Sequence, residues 1–590
     1  MDFFGVLQLI GGLCLFLFGM DTMGNGLTRA SGSKLEQILE NLTSSVPKGV
    51  LLGCVVTAVI QSSSATTVMM VGFVNSGIMK LRQVIPVIMG ANIGTTVTAW
   101  LLSLTGLEGE SFFVQMLKPM SFSPLLAALA IVFIMFCKSE KKKDIGFVLI
   151  GFAVLMYGMD IMSSAVEPLR DVPEFVSILT MFSNPVLGVA AGTVFTAAIQ
   201  SSSASVGILQ ALCLTGSLTY ATVIPIIMGQ NIGTCITAII SSIGASKNAK
   251  RVAAVHLSFN IIGTVLFLAV FYTANAFVNF DFMNTVVGPE NVAVIHSIFN
   301  IASTAVLLPF YKQLEKLAII LVKDNEEKKK VPDETLTLLD ERFMETPSVA
   351  VMQCKTVAHK MAELSRDSIL AALNLFNVYD EDKFNYVDKL ESKIDRYEDA
   401  LGAYIVELSS LDLSNAESKE ISMILHNIGD LERISDHAMN LAETARELHN
   451  KKLSFSDDAR AELSVFMNAV KDIVGMSIES FKEADVEEAA RVEPLEEVID
   501  AIHSEVKSRH IRRLQKGKCT IELGFILQDL ITNMERVADH CSNLAVCTIE
   551  TKHEQFDMHH YINNIKKYDT DHFNERVKEY EDKYALPVSI

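Results

Sequence analysis

The chain has 590 residues, of which 50% are hydrophobic and only 20% charged, with a mean hydropathy of +0.32 and a formal net charge of −19. The charge is unevenly placed: residues 1–320 hold 16 Lys and Arg against 15 Asp and Glu, whereas the rest hold 34 against 54. Such an acidic surplus opposes binding to a phosphate backbone, so no nucleic-acid partner is expected. Nine scattered cysteines without a Cys-x-x-Cys pair point to neither a disulfide framework nor structural zinc.

In chain order, apolar runs fall near 3–27, 50–77, 83–104, 121–137, 145–165, 186–218, 220–245, 252–274 and 290–310. Several reach the roughly 20 residues a helix needs to cross a bilayer, and this density predicts a polytopic membrane domain. The first run lacks the basic flank and cleavage site of a secretory signal and reads as a retained membrane helix. Two runs, 50–77 and 186–218, are interrupted by Gln61-Ser62-Ser63-Ser64 and Gln200-Ser201-Ser202-Ser203. Each predicts a re-entrant hairpin or broken helix turning at the polar motif, a backbone tolerated at membrane depth only where protein or a hydrated cavity surrounds it. Basic residues orient the spans: Arg29, Lys34, Lys48, Lys80 and Arg82, then Lys138 to Lys143, then Lys247, Lys250 and Arg251 mark the inside. The loops at 105–118 and 275–289 suit the outside. Seven crossings and two hairpins then put the N-terminus outside and the acidic C-terminal part inside.

The second polar motif repeats the first at an offset of 139, and its surroundings follow. Gly19-Met20-Asp21 matches Gly158-Met159-Asp160, and Thr57-Ala58 matches Thr196-Ala197. Pro86 matches Pro225, and Gly90-x-Asn92-Ile93-Gly94-Thr95 matches Gly229-x-Asn231-Ile232-Gly233-Thr234. Three crossings separate equivalent points, so the copies insert with opposite orientation, an arrangement suited to alternating access. The serine hydroxyls and glutamine amides offer neutral oxygen ligands and donors. Helix-end amides near the break favour an anion, and freed carbonyls can hold a hard cation such as sodium. The competing reading is that Ser, Gly and Asn serve only to pack membrane helices. Asp21 and Asp160 either pair with a cation or cap loops near the headgroups. His256 and His296, each in a His-x-x-Phe-Asn echo, read as packing groups.

Paired Gln-Ser-Ser-Ser motifs, each followed by Gly-x-Asn-Ile-Gly-Thr, resemble the type II sodium-dependent phosphate cotransporter family over residues 1–310. The resemblance implies sodium and inorganic phosphate held between the hairpins by Gln61, Ser62, Ser63 and Ser64 with Gln200, Ser201, Ser202 and Ser203. Thr66, Asn92 and Asn231 would lie close behind.

A charged linker at 321–344 leads into helical periodicity, and Pro494 reads as the start of a new helix. Leu390-Glu391-x-x-Ile394-Asp395 resembles Leu495-Glu496-x-x-Ile499-Asp500, and 431–437 resembles 534–540, which predicts two three-helix units. The sets Glu391, Asp395, Glu432, Asp436 and Glu496, Asp500, Glu535, Asp539 place carboxylates four apart on helical faces. Each set forms either a hard-metal or iron-type site or a solvated acidic face neutralised by Arg433 and Arg536. This half resembles the PhoU family of phosphate-regulatory proteins, whose repeats carry metal clusters; iron, zinc or magnesium would be the cofactor here. His437 and His540 would stand behind the ligands, and His553, His559 and His560 form a loose cluster near the tail.

The expected fold is therefore all-α: a polytopic membrane domain of two inverted-topology repeats with broken or re-entrant hairpins, followed by a soluble PhoU-like bundle of two three-helix repeats. The domain reading is 1–139 and 140–320 for the membrane repeats, 321–344 linker, 345–575 bundle and 576–590 tail. The resemblances imply a bacterial plasma-membrane carrier, not an enzyme, coupling sodium ions to phosphate movement, with the bundle contacting a phosphate-signalling protein or a second copy. A carrier for another anion, such as sulfate or a phosphonate, and a membrane-anchored phosphate sensor are the alternatives. No His/Asp relay or Gly-x-Ser-x-Gly supports a hydrolase.

Overall fold

The computed structural model describes residues 3–31, 45–106, 119–168, 172, 174, 177–178, 181–323, 335–553 and 570–587. Lys34, the loop at 107–118, the charged run 324–334, His559, His560 and the side chain of His553 lie outside the described residues. The chain divides into two compact units, Met1–Thr346 and Pro347–Ile590. Among the described residues all regular elements are helical, with one isolated bridge between Thr219 and Val286.

The first unit runs α1 (Phe3–Ser31), α2 (Val46–Ile60), α3 (Ser63–Asn75), α4 (Leu81–Ser103), α5 (Pro119–Phe136) and α6 (Glu140–Val166). It continues with α7 (Pro185–Ile199), α8 (Ser202–Cys213), α9 (Tyr220–Gly233), α10 (Cys235–Ser241), α11 (Lys247–Val278), α12 (Pro289–Leu307) and α13 (Tyr311–Leu321). Among the described residues, six stretches are long and apolar enough to cross a membrane: 3–30, 81–103, 140–166, 220–241, 247–278 and 289–321. Three of the helices that flank or carry the motifs, Val46–Ile60, Pro185–Ile199 and Ser202–Cys213, are shorter apolar pieces.

Glycine sets how closely these helices approach. A Cβ on Gly90 would lie 1.9 Å from the Val50 carbonyl oxygen, and one on Gly229 would lie 2.1 Å from that of Val189. Neither distance is compatible with a side chain, so α2 lies backbone to backbone on α4, and α7 on α9. Gly49 meets Pro86, and Gly188 meets Pro225, in the same way in both copies; the missing Cβ makes room for each ring within its helix. Glycines also line the α1–α6 seam. Gly12 lies against Met162, Gly19 against Leu155 and Gly26 against Val148, so these two helices run antiparallel.

The second unit comprises α14 (Pro347–Leu375), α15 (Glu381–Leu408), α16 (Asn415–Lys451), α17 (Asp457–Glu483), α18 (Val492–Gln515), α19 (Ile521–His553) and α20 (Thr570–Lys583). Asp380, Ser414 and Ser456 cap their helices by accepting backbone amides, and Ser414 with Glu417 completes a capping box. Amphipathic faces converge on a core in which Tyr397, Phe466 and Ile499 are fully buried. The hydroxyl of Ser365 on α14 donates to the Leu431 carbonyl of α16 at 2.9 Å. Ser477 on α17 donates likewise to Cys541 of α19 at 3.1 Å. The same tie thus recurs in α14–α16 and α17–α19.

Candidate functional site

Both polar motifs break their helices by one backbone device. Gln61 and Gln200 adopt left-handed conformations with φ of 58° and 59°, uncommon for a residue with a Cβ. Each amide donates to the carbonyl four residues earlier, Thr57 or Thr196, at 2.8 Å. The next residue, Ser62 or Ser201, is extended and caps the following helix, its hydroxyl accepting from the Ala65 or Ala204 amide at 3.1 and 3.2 Å. A hydroxyl pair closes each break: Thr57 donates to Thr66 at 3.1 Å and Thr196 to Ser205 at 2.7 Å.

Ser63 opens α3 and Ser202 opens α8, and their buried hydroxyl oxygens stand 3.4 Å apart. Two helix N-termini therefore converge. The first amides of a helix have no carbonyl partner further back in that helix, and its N-terminal end carries a partial positive charge of about half an elementary charge. Ser64 and Ser203 occupy the second positions of α3 and α8, with Ser203 buried.

The surroundings are not symmetric. Gln61 is buried, accepting a 2.9 Å bond from the Thr98 hydroxyl and donating its amide to the Ala58 carbonyl. Gln200 is exposed, and Thr237, the equivalent of Thr98, donates to its own helix at Thr234. The Asn92 amide donates to Asn260 on α11 at 2.8 Å, and Asn231 bonds the Ile227 carbonyl of its own helix. Thus Ser63 and Ser202 are brought together, with Gln61 and Thr66 bonded around the first break. Asn92 and Asn231 make no hydrogen bond to the serines among the described residues. Sequence reasoning omitted Thr57, Thr196, Thr98 and Asn260 from the site. Threonine at both 98 and 237 was the available signal for Thr98.

Asp21 and Asp160 are exposed, and Asn25 donates to Asp21 at 3.2 Å. His256 and His296 are buried, and their backbone carbonyls accept from Asn260 and Asn300. Both histidines sit in packing positions.

In the second unit, ligand oxygens of Glu496, Asp500 and Asp539 all lie within 4.8 Å of one another. Glu535 stands beside them, its carboxyl pushed up by burial and by Asp539, and Asp539 is itself raised by burial. In the other set, Glu432 hydrogen-bonds Asp436, and burial with that neighbour pushes it up to about 7. Burial raises Glu391 as well, with Asp436 and Asp395 adding to the effect. Carboxyls that resist ionisation side by side, all oxygen donors, suit a hard cation that would relieve them. The opposing charges are Arg433, 3.5 Å from Asp436, and Arg536, 3.3 Å from Asp539. His437 and His540 stack on one another at 5.6 Å. Their Nδ1 atoms pair with Asn533 and Asp430 at 2.8 Å, which makes a seam between α16 and α19.

Comparison with known proteins assigns both units. Residues 15–164 and 172–286 match the Na+/Pi-cotransporter family model, and 358–445 and 463–548 match the PhoU domain. The chain is thus a Na+/Pi-cotransporter membrane domain joined to a PhoU domain. It is similar to the "Putative inorganic phosphate export protein YjbB" of Escherichia coli strain K12, 22% identical over 93% of this chain and 98% of that protein. It is also similar to the "Uncharacterized protein YqeW" of Bacillus subtilis strain 168, 27% identical over 52% of this chain and 96% of that protein. The crystal structure of PhoU from Pseudomonas aeruginosa covers 35% of this chain and 97% of its own, at 18% identity and a TM-score of 0.33. The chain is a bacterial multi-pass membrane protein of phosphate handling, combining transporter and regulatory domains rather than an enzyme's.

Proposed function

We propose that this chain is a secondary carrier that couples sodium ions to inorganic phosphate movement by alternating access, with the PhoU domain as its regulator. The observation that carries the reading is the meeting of Ser63 and Ser202, which aims the positive ends of α3 and α8 and a set of neutral hydroxyls at one point. A phosphate there would accept from Ser62, Ser63, Ser64, Ser201, Ser202 and Ser203 and from helix-end amides. Gln61 and Gln200 would orient it, and Thr66 and the carbonyls freed at the breaks suit sodium. The antiparallel course of α1 and α6, which carry equivalent motifs, supports two inverted-topology repeats with re-entrant hairpins. The basic flanks support an outside N-terminus and a cytoplasmic bundle.

In the bundle, Glu496, Asp500 and Asp539 with Glu535, and Glu391, Asp395, Glu432 and Asp436, would hold a divalent or iron-type cation. Bound there, the cation would supply charge neutralisation that fixes the helices relative to one another. No covalent step is involved.

The test is radiolabelled phosphate flux in proteoliposomes containing the full chain, in both directions, under an imposed sodium gradient with a matched potassium control. Sodium-dependent flux that falls at least tenfold in Gln61→Ala and Ser202→Ala supports the carrier. Equal flux in sodium and potassium, or none with the protein shown to be folded, sinks it.

A further inference from the structure

The sequence reads 321–344 as a charged linker and starts the bundle at 345, yet residues 335–346 are built into the first unit. Phe343 is fully buried, its ring 5.3 Å from that of Phe73 near the end of α3. It fits there because residue 72 is glycine: a Cβ at Gly72 would lie 2.7 Å from the Phe343 ring. Asp340, only 7% exposed, accepts a 2.6 Å bond from the Asn75 amide. Arg342 pairs with both carboxylate oxygens of Asp340, at 2.9 and 2.7 Å, and its Nε donates to the Ser241 carbonyl at 2.7 Å. The Thr337 hydroxyl donates to the Ser76 carbonyl at 3.2 Å. Asn75 completes the cluster by accepting the Ser246 amide at 2.8 Å.

The segment thus joins two places. One is the end of α3, the helix whose first residue is Ser63. The other is the α10–α11 turn at Ser241 and Ser246, which belongs to the second repeat. The receiving residues are specific to the first copy: where it has Gly72, Phe73 and Asn75, the second has Ala211, Leu212 and Leu214. A duplicated helix has therefore diverged at the positions that hold the segment. Immediately after Thr346, Pro347 begins the first helix of the bundle.

We propose that residues 335–346 form an intramolecular strap that pins the motif-bearing α3 to the second repeat and must let go for the repeats to move, so that the bundle sets the transport rate by pulling on it. The inference rests on the carrier reading above. In alternating access by rocking of one repeat against the other, α3 and the α10–α11 turn shift relative to one another, and the strap bonds both. The bundle needs no contact with substrate to act, because Thr346 is covalently continuous with its first helix.

The test uses the full chain in proteoliposomes, with Asn75→Cys/Asp340→Cys as one variant and Phe343→Ala and Arg342→Ala as two others. Mild oxidation should link the introduced cysteines, identified as the 75–340 peptide pair by mass spectrometry. The link should cut sodium-driven phosphate flux at least tenfold, with recovery on reduction; wild type treated alike controls for the native cysteines. The two single variants should raise the maximal rate severalfold at an unchanged half-saturating phosphate concentration. Failure to form the link overturns the docking itself. A linked chain with undiminished flux, or single variants whose maximal rate is unchanged or lower, overturns the strap as a brake. Absence of sodium-driven flux in wild type would instead fail the carrier reading, while the yield of the link still decides whether the segment docks.

Discussion

The hydroxyl oxygens of Ser63 and Ser202 stand 3.4 Å apart although 139 residues separate them, so equivalent atoms of the two copies face each other where α3 and α8 begin. A ligand held there is shared. Loss of one hydroxyl removes a hydrogen bond worth about 1 kcal/mol, more with a charged partner, and leaves the other serine's partner misplaced. Ser63→Ala and Ser202→Ala should each reduce flux about tenfold, and the double variant should lose much less than the product of the two. That non-additivity is what a double-mutant cycle reads for groups acting as a unit. Strictly multiplicative losses would mean two independent sites.

The two glutamines should not respond alike. Thr98 bonds Gln61 across from α4, whereas Thr237 donates to the Thr234 carbonyl three residues before it. Thr98→Val keeps the shape and removes the donor, so Gln61 loses its fixed orientation. The half-saturating phosphate concentration should rise severalfold in Thr98→Val and stay within about twofold in Thr237→Val. Equal shifts would show that the asymmetry is not used in binding.

The sequence made the breaks legible because a polar tetrad inside an apolar run, repeated at one offset, has few other physical uses. It could not reveal the left-handed conformation of Gln61 and Gln200, which glycine or asparagine would ordinarily signal. Thr98 escaped notice because hydroxyls in membrane helices usually bond their own backbone, as Thr237 does. In the bundle, four-residue spacing put the carboxylates on common faces. The grouping of Glu496, Asp500 and Asp539 depends on how α18 crosses α19, which spacing alone does not determine. The strap was hidden for another reason: a short segment with a single phenylalanine has no periodicity to read.

The α1–α6 seam predicts where small changes do most harm. A Cβ at Gly19 would sit 2.3 Å from the Leu155 nitrogen, whereas Gly11 has nothing within 4 Å. Backbone cannot move aside as a side-chain tip can, so Gly19→Ala forces the helices apart, an overpacking cost of about 1–3 kcal/mol. Thermal unfolding of the detergent-purified chain should shift down by several degrees for Gly19→Ala and hardly at all for Gly11→Ala. Matching behaviour of the two variants would mean that the seam is looser than the contact implies.

The acidic clusters give a pH dependence of definite sign. The Glu432 carboxyl, pushed up from 4.5 to about 7 by burial and by Asp436, keeps its proton in the fold over a range where the unfolded chain has lost it. The folded state then binds more protons, so stability falls as pH rises from about 4.5 through 7. Glu432→Gln removes the titration and should flatten that fall in the chelated protein. A hard cation requires the ionised carboxylates, so its stabilisation should grow as pH rises. Melting of the chelated chain at pH 5 and pH 8, with manganese, iron(II) or magnesium added back, reads both effects. The bundle transition should drop toward pH 8 without metal and recover most there with it. Asp500→Asn/Asp539→Asn should abolish the part of that recovery due to the second cluster. If no cation moves the transition at either pH, the carboxylates are a solvated face held by Arg433 and Arg536.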